Sequence, residues 1–241
     1  MTDPQQREFY VPERAVVICA HHDDIEFGVA GTVARWVEAG AQVTYVIMTN
    51  GASGSNAPDV LRRDLIATRQ REQDAAARAV GVTDVRYLGL EDGHVVPTLA
   101  GRRDLTRIIR EVRPQVVVTM DPTVVISAGR DYVNHPDHRA VGEMATYATF
   151  PSAGSRPIFR ELLVEGYEPH DVEMLWLMLT NDVTHKVDIS SVIEKKKAAL
   201  ACHSSQLNQD VIDMVIGWNK DAATDTPYDY VESFRVVDFR R

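Results

Sequence analysis

A short apolar segment near the N-terminus, AVVICA at residues 15–20, is followed at once by HHDDIE at residues 21–26. Six consecutive apolar residues are typical of a strand that is buried on both faces of a parallel sheet. Apolar residues then recur at helical spacing as far as Gly40, which indicates a helix from about Glu26 to that glycine. A buried strand that runs directly into a helix is the repeating unit of α/β folds.

The same alternation continues along the chain. Strand patterns lie at residues 42–48, 84–90 and 116–120, and helical patterns lie at about 60–80, at 105–112 and from about 137. This order predicts a doubly wound α/β fold, a three-layer sandwich in which helices cover both faces of a mostly parallel sheet.

Residues from about 150 onward are less regular. The patterns there favour strands at 161–165 and 172–179 and helices at 190–203 and 211–218. Because no linker rich in Pro, Gly or Ser separates them from the rest, we interpret them as a C-terminal α/β extension packed on the same sheet. The sequence thus predicts an N-terminal tail of residues 1–14 and a single domain of residues 15–241.

The composition is that of a globular protein, since the 241 residues are 44% hydrophobic and 25% charged. The 26 basic and 35 acidic residues give a net charge of −9, which argues against nucleic acid or an anionic membrane as the main partner. The longest apolar runs are far shorter than the ~20 residues of a membrane span, and the polar N-terminus resembles no signal peptide. Two cysteines offer no disulfide framework. We therefore predict a cytoplasmic protein without a membrane span.

The HHDDIE segment lies where an α/β fold binds its ligands, at the carboxyl end of a strand. A dinucleotide site needs a glycine-rich turn here, and two carboxylates would repel a phosphate. The segment therefore argues against an oxidoreductase that uses a nicotinamide or flavin cofactor. Imidazole and carboxylate groups are instead the ligands that zinc, iron and manganese take in proteins.

A second cluster, NHPDH at residues 134–138, follows the fourth predicted strand. Pro136 suits the first position of a helix, so His135 is its predicted cap, and His138 lies on the same side of that helix. Either cluster alone has an ordinary explanation as a solvated helix start or a pair of capping residues. If the first and fourth strands are near neighbours, the two clusters converge and predict a metal site.

The motif A-H-x-D-D-x-E at residues 20–26, together with HPDH at 135–138, resembles the LmbE/PIG-L-type family of zinc-dependent N-deacetylases. Arg69 within TRQREQ, LGLEDG at 88–93 and KKKAALACHSSQ at 195–206 also fit this family. The resemblance implies a Rossmann-like fold and hydrolysis of N-acetyl groups, typically on derivatives of N-acetylglucosamine. One residue departs from the family pattern, because His22 stands where the family usually has proline. We expect His22 to be exposed or to lie behind the metal ligands.

The resemblance also implies a role for each motif residue. His21, Asp24 and His138 become the metal ligands, Asp23 becomes the general base, and His135 becomes the group that stabilises the oxyanion or protonates the leaving amine. The implied cofactor is Zn²⁺, and the same ligand set also accepts Fe²⁺ or Mn²⁺.

Two further residues are candidates for substrate contacts. Each residue also has an ordinary structural explanation. Arg69 would form an ion pair with Glu72 or another nearby acid, and Asp92 would belong to a plain Asp-Gly turn. Asp131 is a candidate to orient one of the histidines.

The sequence therefore predicts a hydrolase that removes an N-acetyl group from an N-acetylglucosamine-type or related small amide. A metal would activate water, and Asp23 would accept its proton. One alternative is an amidase of a larger acyl group or a thiol conjugate, and another is a non-catalytic metal-binding Rossmann-like protein. The latter has no need of a carboxylate such as Asp23 beside the metal. The expected partner is a small N-acetylated molecule, and the resemblance is compatible with a homo-oligomer.

Overall fold

The computed structural model describes residues 9–129 and 132–240. Residues 1–8 of the predicted tail and the candidate Asp131 lie outside this description. The strands are β1 Arg14–Cys19, β2 Gln42–Thr49, β3 Asp84–Leu90, β4 Val116–Met120, β5 Ile126–Ser127, β6 Tyr132–Val133, β7 Met174–Met178, β8 His185–Asp188 and β9 Val231–Asp238. The α-helices are α1 Asp24–Gly28, α2 Ala30–Glu38, α3 Arg62–Ala79, α4 Leu99–Val112, α5 Pro136–Tyr147, α6 Glu161–Val164, α7 Ile193–Ala201 and α8 Gln209–Asp221.

Within the described residues, seven strands form one sheet in the order β3-β2-β1-β4-β7-β9-β8, and β5 and β6 pair as a separate hairpin. The strands from β3 to β7 in this order run parallel, while β9 runs antiparallel to β7 and β8 antiparallel to β9. The chain builds outward from β1 in one direction and then continues with β4 on its other side. Ligands of such sheets bind in the crevice at this reversal. The predicted fold is confirmed, and β1 pairs with β4, which is the condition under which the two sequence clusters converge.

The sheet is covered by helices on both faces. On one face α3 and α2 pack against α7, and on the other α4 packs against α5. Every residue of β4 is buried, as are all residues of β1 except the first, as expected of central strands. Trp36 from α2 and Trp176 from β7 meet edge to face with ring centroids 5.2 Å apart, which anchors the C-terminal strands to the N-terminal half.

The C-terminal part differs from the sequence prediction in detail. The strand predicted at 161–165 is wrong, because this segment forms the short helix α6, in which Leu162 is buried and Val164 is 91% exposed. The strand predicted at 172–179 is confirmed as β7, whereas β8 and β9 are additional. The helix predicted from residue 190 starts later, at Ile193, with Val192 at its cap. The single domain stays a prediction, which the shared sheet supports.

The described part of the chain contains no helix that combines the length and the hydrophobicity of a membrane span.

A buried ion pair ties α7, α2 and β9 together. Lys196 and Glu232 are 0% and 1% exposed, and Lys196 Nζ lies 2.6 Å from Glu232 Oε1. The Glu232 carboxylate also accepts the backbone N–H groups of Gly31 and Thr32 at 2.9 and 2.7 Å, at the start of α2. Negative charge is favourable at a helix N-terminus, so the cation and the helix share one buried carboxylate.

We expect Lys196→Met to lower the free energy of unfolding by about 3–5 kcal/mol, because it leaves Glu232 charged and buried without its cation. Urea denaturation measures this difference. The matched control is Lys197→Met, which removes a surface pair with Glu194 whose lysine side chain is 38% exposed. Its expected change is within about 0.5 kcal/mol. Equal losses of unfolding free energy in the two variants would contradict a special contribution of the buried Lys196–Glu232 pair.

Candidate active site

The structure brings the two sequence clusters together at the carboxyl ends of β1 and β4. A single cavity of about 580 Å³ opens there. It is lined by the seven residues predicted as metal ligands, catalytic groups or substrate contacts: His21, Asp23, Asp24, Arg69, Asp92, His135 and His138. The two clusters are far apart in the sequence. They therefore meet because of the strand order and not because of local structure.

The side chains of His21, Asp24 and His138, here called the donor trio, contact one another in pairs. His21 Nδ1 lies 3.2 Å from His138 Nε2 and 3.5 Å from Asp24 Oδ2. Asp24 Oδ1 lies 3.1 Å from His138 Nε2. Two ligand atoms bound tetrahedrally at ~2.0–2.1 Å from a zinc ion are about 3.4 Å apart. The spacing of the donor trio therefore fits a zinc-type site.

The outer nitrogen of each ring in the donor trio is already engaged. His21 Nε2 lies 3.1 Å from Asp92 Oδ1 and 3.3 Å from Asp137 Oδ2, and His138 Nδ1 lies 2.9 Å from Asn134 Oδ1. Because these oxygens accept hydrogen bonds, the ring protons belong on His21 Nε2 and His138 Nδ1. The lone pairs of His21 Nδ1 and His138 Nε2 then face each other within the trio. A cation bound between these two nitrogens would relieve the repulsion of their lone pairs.

Three carboxylates surround His21 and make the site strongly negative. Burial lowers the pKa of His21, but the charge of Asp24 and hydrogen bonds with Asp137, Asp24 and Asp92 raise it to about 12. Burial raises the pKa of Asp92, yet hydrogen bonds from His21 and from the backbone N–H of Ser53 bring it to about 2. Such a site holds positive charge, whether that of a proton or that of a divalent cation.

His135 lies beside the donor trio. One nitrogen from each of His21, His135 and His138 lies within 4.8 Å of the others, so the three rings form a possible metal set of their own. However, His135 Nδ1 accepts the backbone N–H of Asp137 at 3.2 Å and caps α5. Its proton then sits on Nε2, which can donate a hydrogen bond but cannot bind a metal. The geometry therefore favours His135 as a hydrogen-bond donor to a ligand.

Asp23 occupies the turn between β1 and α1, with φ of 90°. Its carboxylate is 16% exposed in the cavity and lies 3.6 Å from Arg69 Nη2. Burial and the neighbouring charge of Asp24 raise the pKa of Asp23 to about 7, against the charge of Arg69. A carboxyl group with such a pKa can accept and return a proton near neutral pH.

A buried polar network lies beneath Asp23. Gln73 Oε1 accepts the backbone N–H of Asp23 at 3.1 Å, and its Nε2 donates to the Glu26 carboxylate at 3.2 and 3.3 Å. His203 Nε2 lies 3.0 Å from Glu26 Oε2. All three side chains of the network are fully buried. The network holds the left-handed turn that presents Asp23 to the cavity, a backbone conformation unfavourable for most residues.

Arg69 projects from α3 and is 4% exposed. Its guanidinium donates to the backbone carbonyl oxygens of His22 and Gly51 at 2.8 and 3.1 Å. The ion pair with Glu72 is not observed among the described residues, where the Glu72 carboxylate accepts hydrogen bonds from Ser205. Arg69 therefore fastens two loops of the cavity together, and it also lines the cavity wall.

Asp92 does more than form an Asp-Gly turn. It is 4% exposed, and its carboxylate accepts the backbone N–H of Ser53 at 2.9 Å in addition to its contact with His21. Arg69 Nη1 lies 3.8 Å from Asp92 Oδ2. Asp92 thus links the loops after β2 and β3 to the donor trio.

His22, the departure from the family pattern, is fully buried. Of the two expected positions, exposed or behind the metal ligands, the structure shows the second. Its ring stacks on Tyr87 with centroids 5.5 Å apart and planes 19° apart. Burial and then the charge of Arg69 lower the pKa of His22 to about 3, so the ring is neutral. Neither ring nitrogen has a hydrogen-bond partner in the described part of the chain. His22 packs behind the site and does not belong to the donor trio.

Asp137 and Gln73 are site residues that the sequence analysis missed. Asp137 is fully buried, and its carboxylate accepts the backbone N–H groups of Gly93 and Val95 at 2.7 and 3.1 Å besides contacting His21. Its position inside the HPDH motif was an available signal. Gln73 has only its helical spacing from Arg69 as a signal, since both lie on one face of α3.

Comparison with known proteins agrees with this arrangement. The family model described as "GlcNAc-PI de-N-acetylase" (PIG-L) matches residues 16–149. Diacetylchitobiose deacetylase of Thermococcus kodakarensis is 30% identical over 199 residues, which cover 83% of this chain and 72% of that protein. The 1D-myo-inositol 2-acetamido-2-deoxy-alpha-D-glucopyranoside deacetylase of Actinosynnema mirum is 31% identical over 237 residues, which cover 81% of each chain.

A solved structure shares nearly the whole fold. N,N'-diacetylchitobiose deacetylase from Pyrococcus horikoshii, complexed with its inhibitor MPG, superposes with a TM-score of 0.88 at 26% sequence identity. The match covers 97% of this chain and 86% of the other. With the family match and the two relatives, this establishes that the chain belongs to the PIG-L family of de-N-acetylases.

Proposed function

We propose that this chain is a metal-dependent N-deacetylase that acts on N-acetylglucosamine-type sugars. The observation that carries the proposal is the position of Asp23. Its carboxylate opens into the cavity beside the donor trio, and its pKa is raised to about 7. A purely structural metal site has no use for such a group, whereas amide hydrolysis needs a base at this place.

The proposed metal is zinc, held by His21, Asp24 and His138, with Fe²⁺ or Mn²⁺ as alternatives. Three protein ligands are the usual number at a catalytic zinc site, which leaves a position for water or substrate. When bound, the metal supplies Lewis acidity, which lowers the pKa of water and polarises an amide carbonyl.

The residues of the chain supply the proton transfers. Asp23 accepts a proton from the water that attacks the amide carbon, and His135 donates its Nε2 proton in a hydrogen bond to the oxyanion that develops. As the C–N bond breaks, Asp23 returns its proton to the amine nitrogen. The products are a free amine and acetic acid, and transfer of the acid proton to the amine gives an ammonium and acetate, so atoms and protons balance.

The proposed substrate class follows from the relatives and from the cavity. The two relatives described above are named as deacetylases of N-acetylglucosamine derivatives. Arg69 and Asp92 line one wall of the cavity, where a guanidinium and a carboxylate suit the hydroxyl groups of a sugar. We propose that this wall binds the sugar ring. A cytoplasmic location remains part of the proposal.

We expect removal of the metal to abolish amine release from N-acetylglucosamine and N,N'-diacetylchitobiose. Protein stripped with a chelator is expected to fall below about 1% of the original rate, because water and carbonyl are no longer activated. Addition of one equivalent of Zn²⁺ is expected to restore the rate, while far-UV circular dichroism confirms that the stripped protein is folded. Full activity in protein shown to be metal-free would contradict the proposal. Bound metal without any amine release would favour the non-catalytic alternative.

A further inference from the structure

The cavity has two chemically different halves. One half carries the polar groups described above, and the other is lined by five apolar side chains: Phe27, Val124, Leu179, Met214 and Trp218. They come from α1, from the loops after β4 and β7, and from α8, so four separate parts of the chain build the apolar half. Apolar side chains in an open cavity are typical of a surface that binds an apolar ligand group.

Some side chains of the apolar half also border a neighbouring cavity. Phe27 and Trp218 pack with ring centroids 6.2 Å apart, and Met214 is 44% exposed at the edge of α8. A second cavity of about 240 Å³ is lined in part by Phe27, Leu179 and Trp218, which also line the first. The apolar wall therefore offers more length than the single methyl group of an acetyl substituent can fill.

The sheet order places the two halves on opposite sides of the donor trio. Asp92 and Ser53, in the polar half, follow β3 and β2, which lie on one side of β1. Val124 and Leu179 follow β4 and β7, on the other side. An amide held at the donor trio directs its amine substituent to one half and its acyl substituent to the other. A hydroxyl-rich sugar suits the polar half, which leaves the apolar half for the acyl chain.

The apolar half also comes largely from outside the part of the chain that the family model describes. The donor trio lies within residues 16–149, whereas Leu179, Met214 and Trp218 lie beyond them. Three of the five apolar side chains therefore lie outside the part of the chain that carries the donor trio.

We infer that the substrates of this enzyme include N-acyl amino sugars whose acyl chain is longer than acetyl, with the chain lying on the wall of Phe27, Leu179, Met214 and Trp218. This inference rests on the proposed function, because it assigns the acyl side of the same hydrolysis. The bond that breaks is still the amide C–N bond, and water still supplies the oxygen of the carboxylic acid released.

The test is a series of N-acyl glucosamines with acetyl, butanoyl, hexanoyl and octanoyl groups, with kcat/KM measured from the glucosamine released. We expect kcat/KM to rise with chain length by up to about fourfold per methylene, which corresponds to about 0.8 kcal/mol. Octyl N-acetylglucosaminide is the comparison substrate, because it carries its apolar group on the sugar side.

Substitutions in α8 test whether the dependence of kcat/KM on acyl chain length comes from the apolar wall. Met214→Gln keeps the length of the side chain and makes it polar, and we expect it to lower the octanoyl-to-acetyl ratio of kcat/KM by about tenfold. Trp218→Ala is expected to act in the same direction. The matched control is Asp210→Ala, an exposed position of the same helix, which is expected to leave the ratio unchanged.

The outcomes separate this inference from the proposed function. A steady fall in kcat/KM from acetyl to octanoyl overturns the inference while the deacetylase assignment stands. A gain confined to octyl N-acetylglucosaminide also overturns it, because the apolar half would then hold the sugar substituent. Release from no member of the series by metal-loaded protein overturns both.

Discussion

Asp23→Asn is expected to retain its metal and to lose amine release by a factor of about 10²–10⁴. Asparagine has the shape of aspartate and tolerates the left-handed backbone, with φ of 90°, at this position. The backbone N–H of residue 23 keeps its hydrogen bond to Gln73, so the turn is preserved. The amide cannot accept a proton from water, however. The loss is expected in kcat, with one metal per chain measured by elemental analysis.

The comparison with Asp23→Ala sharpens this prediction. Alanine removes the same proton acceptor but is strained at a positive φ, so it is expected to lose stability as well. Asp64→Asn, at a side chain that is 65% exposed, is the control for an equal change of charge. Normal turnover by Asp23→Asn would show that another group is the base. Simultaneous loss of metal would place Asp23 among the ligands.

The sequence could predict the site because its residues form two short motifs at the ends of apolar strands. The motifs place His21 directly after β1, and Asp24 and His138 in the first turns of α1 and α5, so the strand ends and helix starts determine their geometry. Only one long-range fact, the adjacency of β1 and β4, was needed to bring them together. A right-handed parallel α/β topology makes that adjacency one of few possibilities.

The residues beneath the site could not be predicted in the same way. Gln73 binds the backbone N–H of Asp23 from 50 positions away, and its amide looks like any other polar group on a helix. Lys196 belongs to a run of three lysines that indicates a solvated helix face, yet it is fully buried against Glu232. Such partners depend on how helices pack across the sheet, which periodicity along one element does not reveal.

The C-terminal strands were missed for a related reason. Strand β9 alternates poorly between buried and partly buried residues, and β8 is only four residues long. They form antiparallel pairs at one side of the sheet, and most of their residues are only partly buried, so the continuous apolar pattern of a central strand is absent. The apolar half of the cavity depends on this region, so neither its wall nor its second cavity was predicted.

His138→Ala is expected to lose both the metal and the activity. The change removes one of three donors and opens the trio to water, since the other two side chains are each within 3.2 Å of the His138 ring. Even the loss of a residue that only orients a ligand costs about 10–100-fold in metal affinity, so loss of the ligand itself is expected to exceed about 100-fold. Isothermal titration of the stripped protein with Zn²⁺ measures the affinity, and amine release measures the activity.

Comparison with other histidine variants decides which rings bind the metal. His94→Ala, at an exposed ring outside the donor trio, is the control and is expected to bind Zn²⁺ as the unchanged protein does. His135→Ala is expected to keep most of the metal affinity and to lose kcat, because its Nε2 carries a proton and serves the oxyanion. Wild-type affinity in His138→Ala, or its loss in His135→Ala, would contradict the donor trio. The second result would favour the set of three histidines, because removing His135 affects the metal only if its ring is a ligand.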